Sequence, residues 1–346
     1  MESPLTSARF RNAFKTAVAI VLAYGFALWF DWGKPMWAVF AVALISLPTL
    51  GASLNKGAQR LEGTLVATVV ALLLIALYAQ DRWAFLLAQA GWLAFCTYRM
   101  TVSDRDYFWF CAAFVSAIIT ANGGPDPVHA FSVAVMRTLE TSLGIICFAL
   151  VFSLLWPVRG DDALPGEADE APAVPPRADR LNQSAWVFIG YSIGFLAVLY
   201  VPGFPGSYAF LGMLAPFAVI LATTPGLPVS KVLLPASLAI LAACPVYMLL
   251  MPLLSGFAQL APVIFAMCFA ICYVLHTPEQ GLARIFGLAF FAITTGISNE
   301  QSYSFLSVAN TALMFSLVLL IMHVARSITV FVEKDAGEPN PAVETN

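Results

Sequence analysis

The sequence is poor in charge. Of its 346 residues, 17 are Lys or Arg and 20 are Asp or Glu, 11% together, where soluble domains carry about 25%. So few charges cannot cover a globular surface of this size in water, and a soluble protein is excluded. Apolar residues make up 60% and aromatic residues 13%, which excludes a disordered chain. The net charge of −3 comes with no basic patch, so nucleic acid is not an expected partner. The six cysteines form no CxxC pair and the three histidines are scattered, so neither a disulfide framework nor a metal centre is indicated. No GxSxG, HExxH, P-loop or GxGxxG in context is present. An enzyme is therefore not expected, and no cofactor is implied. What remains is an all-α polytopic membrane protein.

Lipid offers no partner to unpaired backbone groups, so the units to seek are apolar helices of about 20 residues. About twelve transmembrane helices are expected. In the first half they fall near 13–31, 35–50, 58–79, 83–99, 106–121 and 130–156. In the second half they fall near 185–201, 207–222, 231–254, 259–276, 282–298 and 303–330. Alternating loops sort 14 of the 17 basic residues to one side; Lys34 and Arg82 lie opposite and Arg137 is embedded. The positive-inside rule makes the crowded side cytoplasmic and puts both termini there. No small-residue cleavage site follows the first helix, so it is expected to be retained. Residues 157–184 are rich in Pro, Ala and acidic residues and read as a flexible cytoplasmic linker. The expected organisation is a first bundle over 1–156, that linker, a second bundle over 185–331 and a disordered tail over 332–346.

The two halves echo each other. At a shift of 175 residues, Thr49-x-Gly51-x4-Lys56 meets Thr224-x-Gly226-x4-Lys231, Ala117-Ile118-x-Thr120 meets Ala292-Ile293-x-Thr295, and Tyr98 meets Tyr273. This predicts two parallel six-helix repeats, a common transporter architecture. A fainter echo lies within the first half. Arg60-x3-Thr64 and Arg137-x3-Thr141 occupy helices expected to cross in opposite directions, as an inverted three-plus-three repeat would produce.

Several residues are candidates for binding. Pro48 and Gly51 are expected to end the second helix, and Ser53 or Asn55 to cap the third. Lys56, Arg60 and Thr64 then line one face at i, i+4 and i+8, near a helix N-terminus that attracts anions. That face is either an anion gate on the cytoplasmic side or a topology signal with lipid-headgroup contacts. Arg137 and Glu140 stand in the sixth helix, where an ionisable group costs roughly 2.5–3.5 kcal/mol. At i, i+3 they form a self-neutralising pair, or Arg137 holds a substrate carboxylate while Glu140 takes a proton. Glu62 is a second proton-coupling candidate, or pairs with a base on a neighbouring helix. Thr49, Thr224 and Lys231 complete the set, because prolines 216, 225, 228, 235 and 245 are expected to break the eighth and ninth helices around a site. Trp29, Trp32, Trp37, Trp83 and Trp109 sit near span ends and read as interfacial anchors.

The run PTLGASLNKGAQRLEGT (48–64), preceded by the apolar segment with Pro35 and Trp37, the opening RNAFKTAVAIVLAYGFAL (11–28), and Arg137 followed by Gly144 and Trp156-Pro157 resemble the fusaric acid resistance and aromatic acid exporter family. The resemblance implies an inner-membrane export component built from two six-helix bundles. It implies aromatic carboxylic acids as substrates, a periplasmic adaptor of the membrane-fusion type and an outer-membrane channel as partners, and Lys56, Arg60 and Arg137 as the family's basic positions. The chain departs from the family in having only the short segment 157–184 where many members carry a cytoplasmic domain. Its second half also places Pro235-Ala236 and Ala312 near the equivalents of Arg60 and Arg137. The expected function is export of organic anions across the bacterial inner membrane, with a proton gradient as one source of energy. A passive anion channel and a non-transporting membrane scaffold are the alternatives. A homo-oligomer stays open.

Overall fold

The computed structural model describes residues 7–46, 50–124, 126–156, 175–206, 208–224, 227 and 230–337. Among these the chain is all-helical, with twelve α-helices in the order α1 Ala8–Trp29, α2 Met36–Ile45, α3 Leu50–Tyr78, α4 Arg82–Met100, α5 Asp106–Gly123, α6 Pro127–Leu154, α7 Arg177–Tyr200, α8 Tyr208–Thr223, α9 Ser230–Pro245, α10 Phe257–Val274, α11 Gly281–Thr295 and α12 Phe305–Gly337. Seven helical stretches are long and apolar enough to cross a membrane: α1, α3, α6, α7, α10, residues 231–253 and α12 over 305–329. The shorter α2, α8 and α11 are apolar too. The chain is a multi-pass membrane protein.

Local chemistry accounts for the helix ends. The Ser7 hydroxyl accepts from the Phe10 amide and opens α1. Asp81 accepts from the Trp83 and Ala84 amides and opens α4. Gly296, at φ 48°, takes the left-handed conformation that closes α11 and favours glycine. Past Pro245 the helical path of α9 loosens into a π-turn over Val246–Leu250 and a 3-10 turn over Met251–Leu253.

Three expectations need correcting. The third helix starts at Leu50, so Gly51, Ser53 and Asn55 lie inside its first two turns rather than at a cap; Pro48 and Thr49 lie outside the described residues. Residues 177–184, read as linker, are the first two turns of α7, which Pro176 precedes and Asp179 supports from its first turn. The final helix runs on to Gly337, so 332–337 are helical and the rest of the tail lies outside the described residues.

Packing divides the described residues into two compact units. One draws on 1–66, 131–172 and 226–312, the other on 67–130, 173–225 and 313–346. Each unit thus combines helices from both sequence halves. In the first, α1 packs on α10 and α2, and α11 packs on α9 and α2. Phe10 and Phe14 of α1 meet Phe269 and Phe265 of α10 edge to face at 5.4 and 5.3 Å, an arrangement that suits the ring quadrupoles. In the second, α4 packs on α7 and α5, and α8 packs on α5 and α7. There Gln89 of α4 donates to Ser116 of α5 at 3.1 Å, satisfying an amide buried away from water.

Helix faces separate by burial. On α3, Ser53, Arg60, Thr64, Ala67 and Ala71 are buried, while Leu65, Val69, Leu73 and Leu77 are exposed. A stripe of exposed leucine and valine at i, i+4 is costly in water and suited to lipid. On α6, Ala130, Ala134, Arg137, Thr141 and Phe148 are buried, and Phe131, Leu139, Ile146 and Leu150 are exposed.

Within the first unit, basic residues close helix C-termini. Arg9 donates through Nε to the Tyr273 carbonyl of α10 at 2.6 Å, Lys15 to the Trp156 carbonyl just past α6 at 2.7 Å, and Arg284 to the Ser46 carbonyl just past α2 at 3.4 Å. The last carbonyls of a helix lack internal partners and carry its negative dipole end, so cations are favourable there.

Gly144 is where α6 comes nearest α2. A Cβ at this position would stand 2.6 Å from the Ala41 Cβ and against the Ala38 carbonyl. Gly144→Val is expected to destabilise the protein by about 1–3 kcal/mol through overpacking. Gly91→Ala, where nothing lies within 4 Å in mid-helix, is expected to add roughly 0.5–1 kcal/mol. Thermal unfolding of the detergent-solubilised chain reads both, and equal midpoints for the two variants would contradict this packing.

Candidate functional site

The sequence offers α6 an apolar helix with two ionisable residues one turn apart. At i, i+3 they share a face, and the fold turns that face inward. Arg137 and Glu140 are both buried, and Arg137 Nη2 lies 2.8 Å from Glu140 Oε2. Seven residues on from Arg137, Gly144 rests on α2, so the face carrying Arg137, Thr141 and Gly144 looks at α2. At the start of α2, the Trp37 ring lies under the Arg137 guanidinium, 4.6 Å from Cζ to the ring centroid. Phe40 meets Trp37 edge to face at 5.0 Å. Lys34, in the loop before α2, adds a charge that acts on both Arg137 and Glu140.

The donors at this place outnumber their acceptors. Arg137 Nε and Nη1 and Trp37 Nε1 are buried without hydrogen-bond acceptors, and Glu140 Oε1 without a donor. Buried polar groups are normally satisfied, so such a cluster calls for an explanation.

α3 brings a second buried base. Gly57 lets α3 approach α6, its Cβ position 3.3 Å from Ile145. Arg60 and Thr64 follow on the buried face one and two turns later, while Lys56 is half-buried and Glu62 is exposed. The shared face expected for Lys56, Arg60 and Thr64 is therefore present but graded from surface to interior. Among the described residues the buried ionisable side chains with basic groups are Lys15, Arg60 and Arg137, and Glu140 is the buried acid. All four belong to the first unit.

Thr224 is exposed, and its hydroxyl is spent on the Ile220 carbonyl of its own helix at 2.5 Å. Lys231 is exposed at the start of α9. Thr49 lies outside the described residues.

Two residues were missed by sequence reasoning. Lys15, read as a topology signal, is 2% exposed, and its ammonium lies 5.1 Å from the Phe152 ring centroid. The signal was available: Lys15 opens an i, i+4 stripe with Ala19, Ala23 and Ala27, all buried. Trp37, read as an interfacial anchor, is instead the wall under Arg137. Nothing in the local sequence distinguishes it from Trp29, which is 84% exposed.

With this geometry in view, the comparison with known proteins is specific. Residues 9–173 match the fusaric acid resistance protein family. The family match contains α1 to α6, and with them Trp37, Arg60, Thr64, Arg137 and Glu140, as the resemblance of 11–28 and 48–64 predicted. An uncharacterized transporter of Escherichia coli strain K12, YdhK, is 29% identical over 154 residues, covering 43% of this chain and 23% of that protein. The p-hydroxybenzoic acid efflux pump subunit AaeB of Enterobacter cloacae is 31% identical over 166 residues, covering 45% of this chain and 25% of that protein. The chain thus spans about a quarter of the length of these relatives, which carry the names of transporters rather than enzymes. No solved structure matches it.

Removing one partner of a buried ion pair strands the other. Arg137→Ala or Glu140→Gln alone is therefore expected to cost roughly 3–5 kcal/mol. The double variant Arg137→Met/Glu140→Gln is expected to cost less than Arg137→Ala. Thermal midpoints of the three variants in one detergent test this, and additive losses would show that the two groups are not coupled.

Proposed function

We propose that the protein exports organic anions, aromatic carboxylic acids in particular, across the bacterial inner membrane. The observation that carries the reading is the chemistry of the first unit's interior. Arg137 is buried beside a single buried acid, Glu140, and keeps two donors, Nε and Nη1, without acceptors. Burying a charge is expensive unless an opposite charge meets it. A carboxylate entering from the cytoplasm supplies that charge, and its aromatic body suits a path lined by Trp37 and Phe40. The relative named as a p-hydroxybenzoic acid efflux pump subunit favours the same substrate class, and the word subunit favours a periplasmic adaptor and outer-membrane channel as partners.

In this reading Lys56 and Arg60 attract the anion at the cytoplasmic end of α3, Thr64 lines the way, and Arg137 holds the carboxylate. Glu140, the buried acid beside Arg137, is the proton carrier; Glu62, exposed, is at most an outer relay. Lys231, exposed at the start of α9, contributes to the cytoplasmic mouth. Arg9, Lys15 and Arg284 close the ends of α10, α6 and α2, all even-numbered helices. This agrees with twelve alternating crossings and with cytoplasmic termini.

The halves 1–156 and 185–331 are read as parallel repeats. Moved by 175 residues, α4 and α5 fall on 257–275 and 281–298, beside α10 and α11. The matched tyrosines support the same shift: Tyr273 carries Arg9 over its ring at 3.9 Å, and Tyr98 carries Arg180 at 5.1 Å. Moved by 77 residues, α3 falls on 127–155, the position of α6. At that shift Arg60 meets Arg137, Thr64 meets Thr141 and Ala71 meets Phe148, all buried. An inverted pair of this kind is the expected machinery of alternating access.

The test is uptake of labelled hydroxybenzoate into inverted membrane vesicles rich in the protein. Accumulation that an uncoupler collapses is expected, and Arg60→Ala and Arg137→Ala are each expected to lower the rate by at least about tenfold, the loss of one charge-assisted contact. Equilibration without accumulation would identify a channel. Unchanged uptake in both variants, at unchanged protein level, would refute the site.

A further inference from the structure

We propose that Trp37 is the residue that selects an aromatic ring, forming with Phe40 and Arg137 a subsite for a benzoate-type monocarboxylate. The inference rests on the export reading above and assigns a specificity role within its site. Tryptophan at a membrane interface normally keeps its indole N–H in water. Trp29 and Trp83 follow that rule, 84% and 50% exposed. Indoles turned inward elsewhere in the protein find acceptors: Trp92 Nε1 donates to the Ala112 carbonyl at 3.1 Å and Trp186 Nε1 to the Met322 carbonyl at 2.8 Å. Trp37 does neither. Its Nε1 is buried and has no acceptor, and the two unused nitrogens of Arg137 belong to the guanidinium stacked on its ring.

Three N–H-bearing nitrogens from two touching residues therefore lack oxygen partners. A carboxylate has two oxygens and about four acceptor sites, and it is the common organic group that answers such a cluster. The guanidinium covers one region of the indole, and Phe40 meets it edge to face. The ring as a whole is only half-buried, which leaves aromatic surface for a ligand ring attached to that carboxylate. Glu140 engages Arg137 Nη2 alone, so the other nitrogens can take the ligand without first breaking the ion pair. Lys34, which acts on Arg137 and Glu140 from the loop before α2, adds positive potential for the same anion.

The experiment compares benzoate with cyclohexanecarboxylate, two acids of similar size that share a carboxylate and differ in aromaticity. The full chain is reconstituted in liposomes and assayed for saturable transport of each. The unaltered protein is expected to prefer benzoate. Trp37→Leu removes ring and N–H and is expected to abolish the preference. Trp37→Phe keeps a ring and removes the N–H. It is expected to weaken both acids about tenfold, as the loss of one buried hydrogen bond would, while keeping the preference. Arg137→Ala is expected to weaken both acids without restoring selectivity. Retention of the benzoate preference in Trp37→Leu would overturn the assignment. Should Trp37→Leu not fold, an unweakened Trp37→Phe would overturn it instead. Absence of saturable transport of either acid by the unaltered protein would remove the export reading itself, an outcome separate from the failure of Trp37.

Discussion

A guanidinium held away from water has to be matched by something, and Arg137 is where this protein meets that constraint. Its helix is otherwise apolar. Its charge is answered in part by Glu140 one turn away, in part by the face of Trp37, and in part not at all. The close approach of α2 and α6 at Gly144 accompanies the contact of the guanidinium with the Trp37 indole. Gly57 does the equivalent for α3 and brings Arg60 into the same interior. The small residues on the inward faces and the large aliphatic residues on the outward faces are two sides of one arrangement. Charge is kept in the middle and hydrocarbon is presented to lipid.

Basic residues serve two separate purposes in the first unit. Arg9, Lys15 and Arg284 sit at helix C-termini, where the unpaired carbonyls and the dipole satisfy them. Arg137 sits within a helix, where the backbone carbonyls are already engaged. A sequence-level charge count treats the first group as a signal for orientation. The structure gives these residues a second task in holding helix ends, which is why Lys15 tolerates burial. Arg137, buried with two donors unused, is the residue to which the proposed reading assigns the anion. That division is the physical basis for placing function at Arg137 rather than at the more numerous basic residues near the helix ends.

The packed units do not follow the order of the chain. α1 and α2 pack with α9, α10 and α11, and α4 and α5 pack with α7 and α8. Each six-helix half of the sequence therefore contributes to both units, and neither half carries a complete core by itself. This gives a structural reason why a second half lacking counterparts of Arg60 and Arg137 remains part of the same machine. Its helices wall the unit in which those arginines lie.

The helical class, the membrane setting, the number of helices and the Arg137–Glu140 pair were all legible in the residues. Apolar windows, low charge and i, i+3 spacing are local properties, and the bilayer leaves few alternatives for satisfying the backbone. Part of the site was legible too, since Arg60 and Thr64 stand at helical spacing in a run with a family resemblance. Helix ends were read less well around Leu50 and Arg177, because the glycine and polar residues there resemble a break until packing makes a helix of them. Sequence spacing was silent about which helices share a unit and which of several similar tryptophans turns inward. Those are contacts between residues 100 or more positions apart, as between Trp37 and Arg137. By itself the sequence determined a charge-poor helical membrane protein with an ionisable pair in its sixth helix. Only the tertiary structure decided that the pair faces an indole rather than lipid, because that depends on how closely two distant backbones pack.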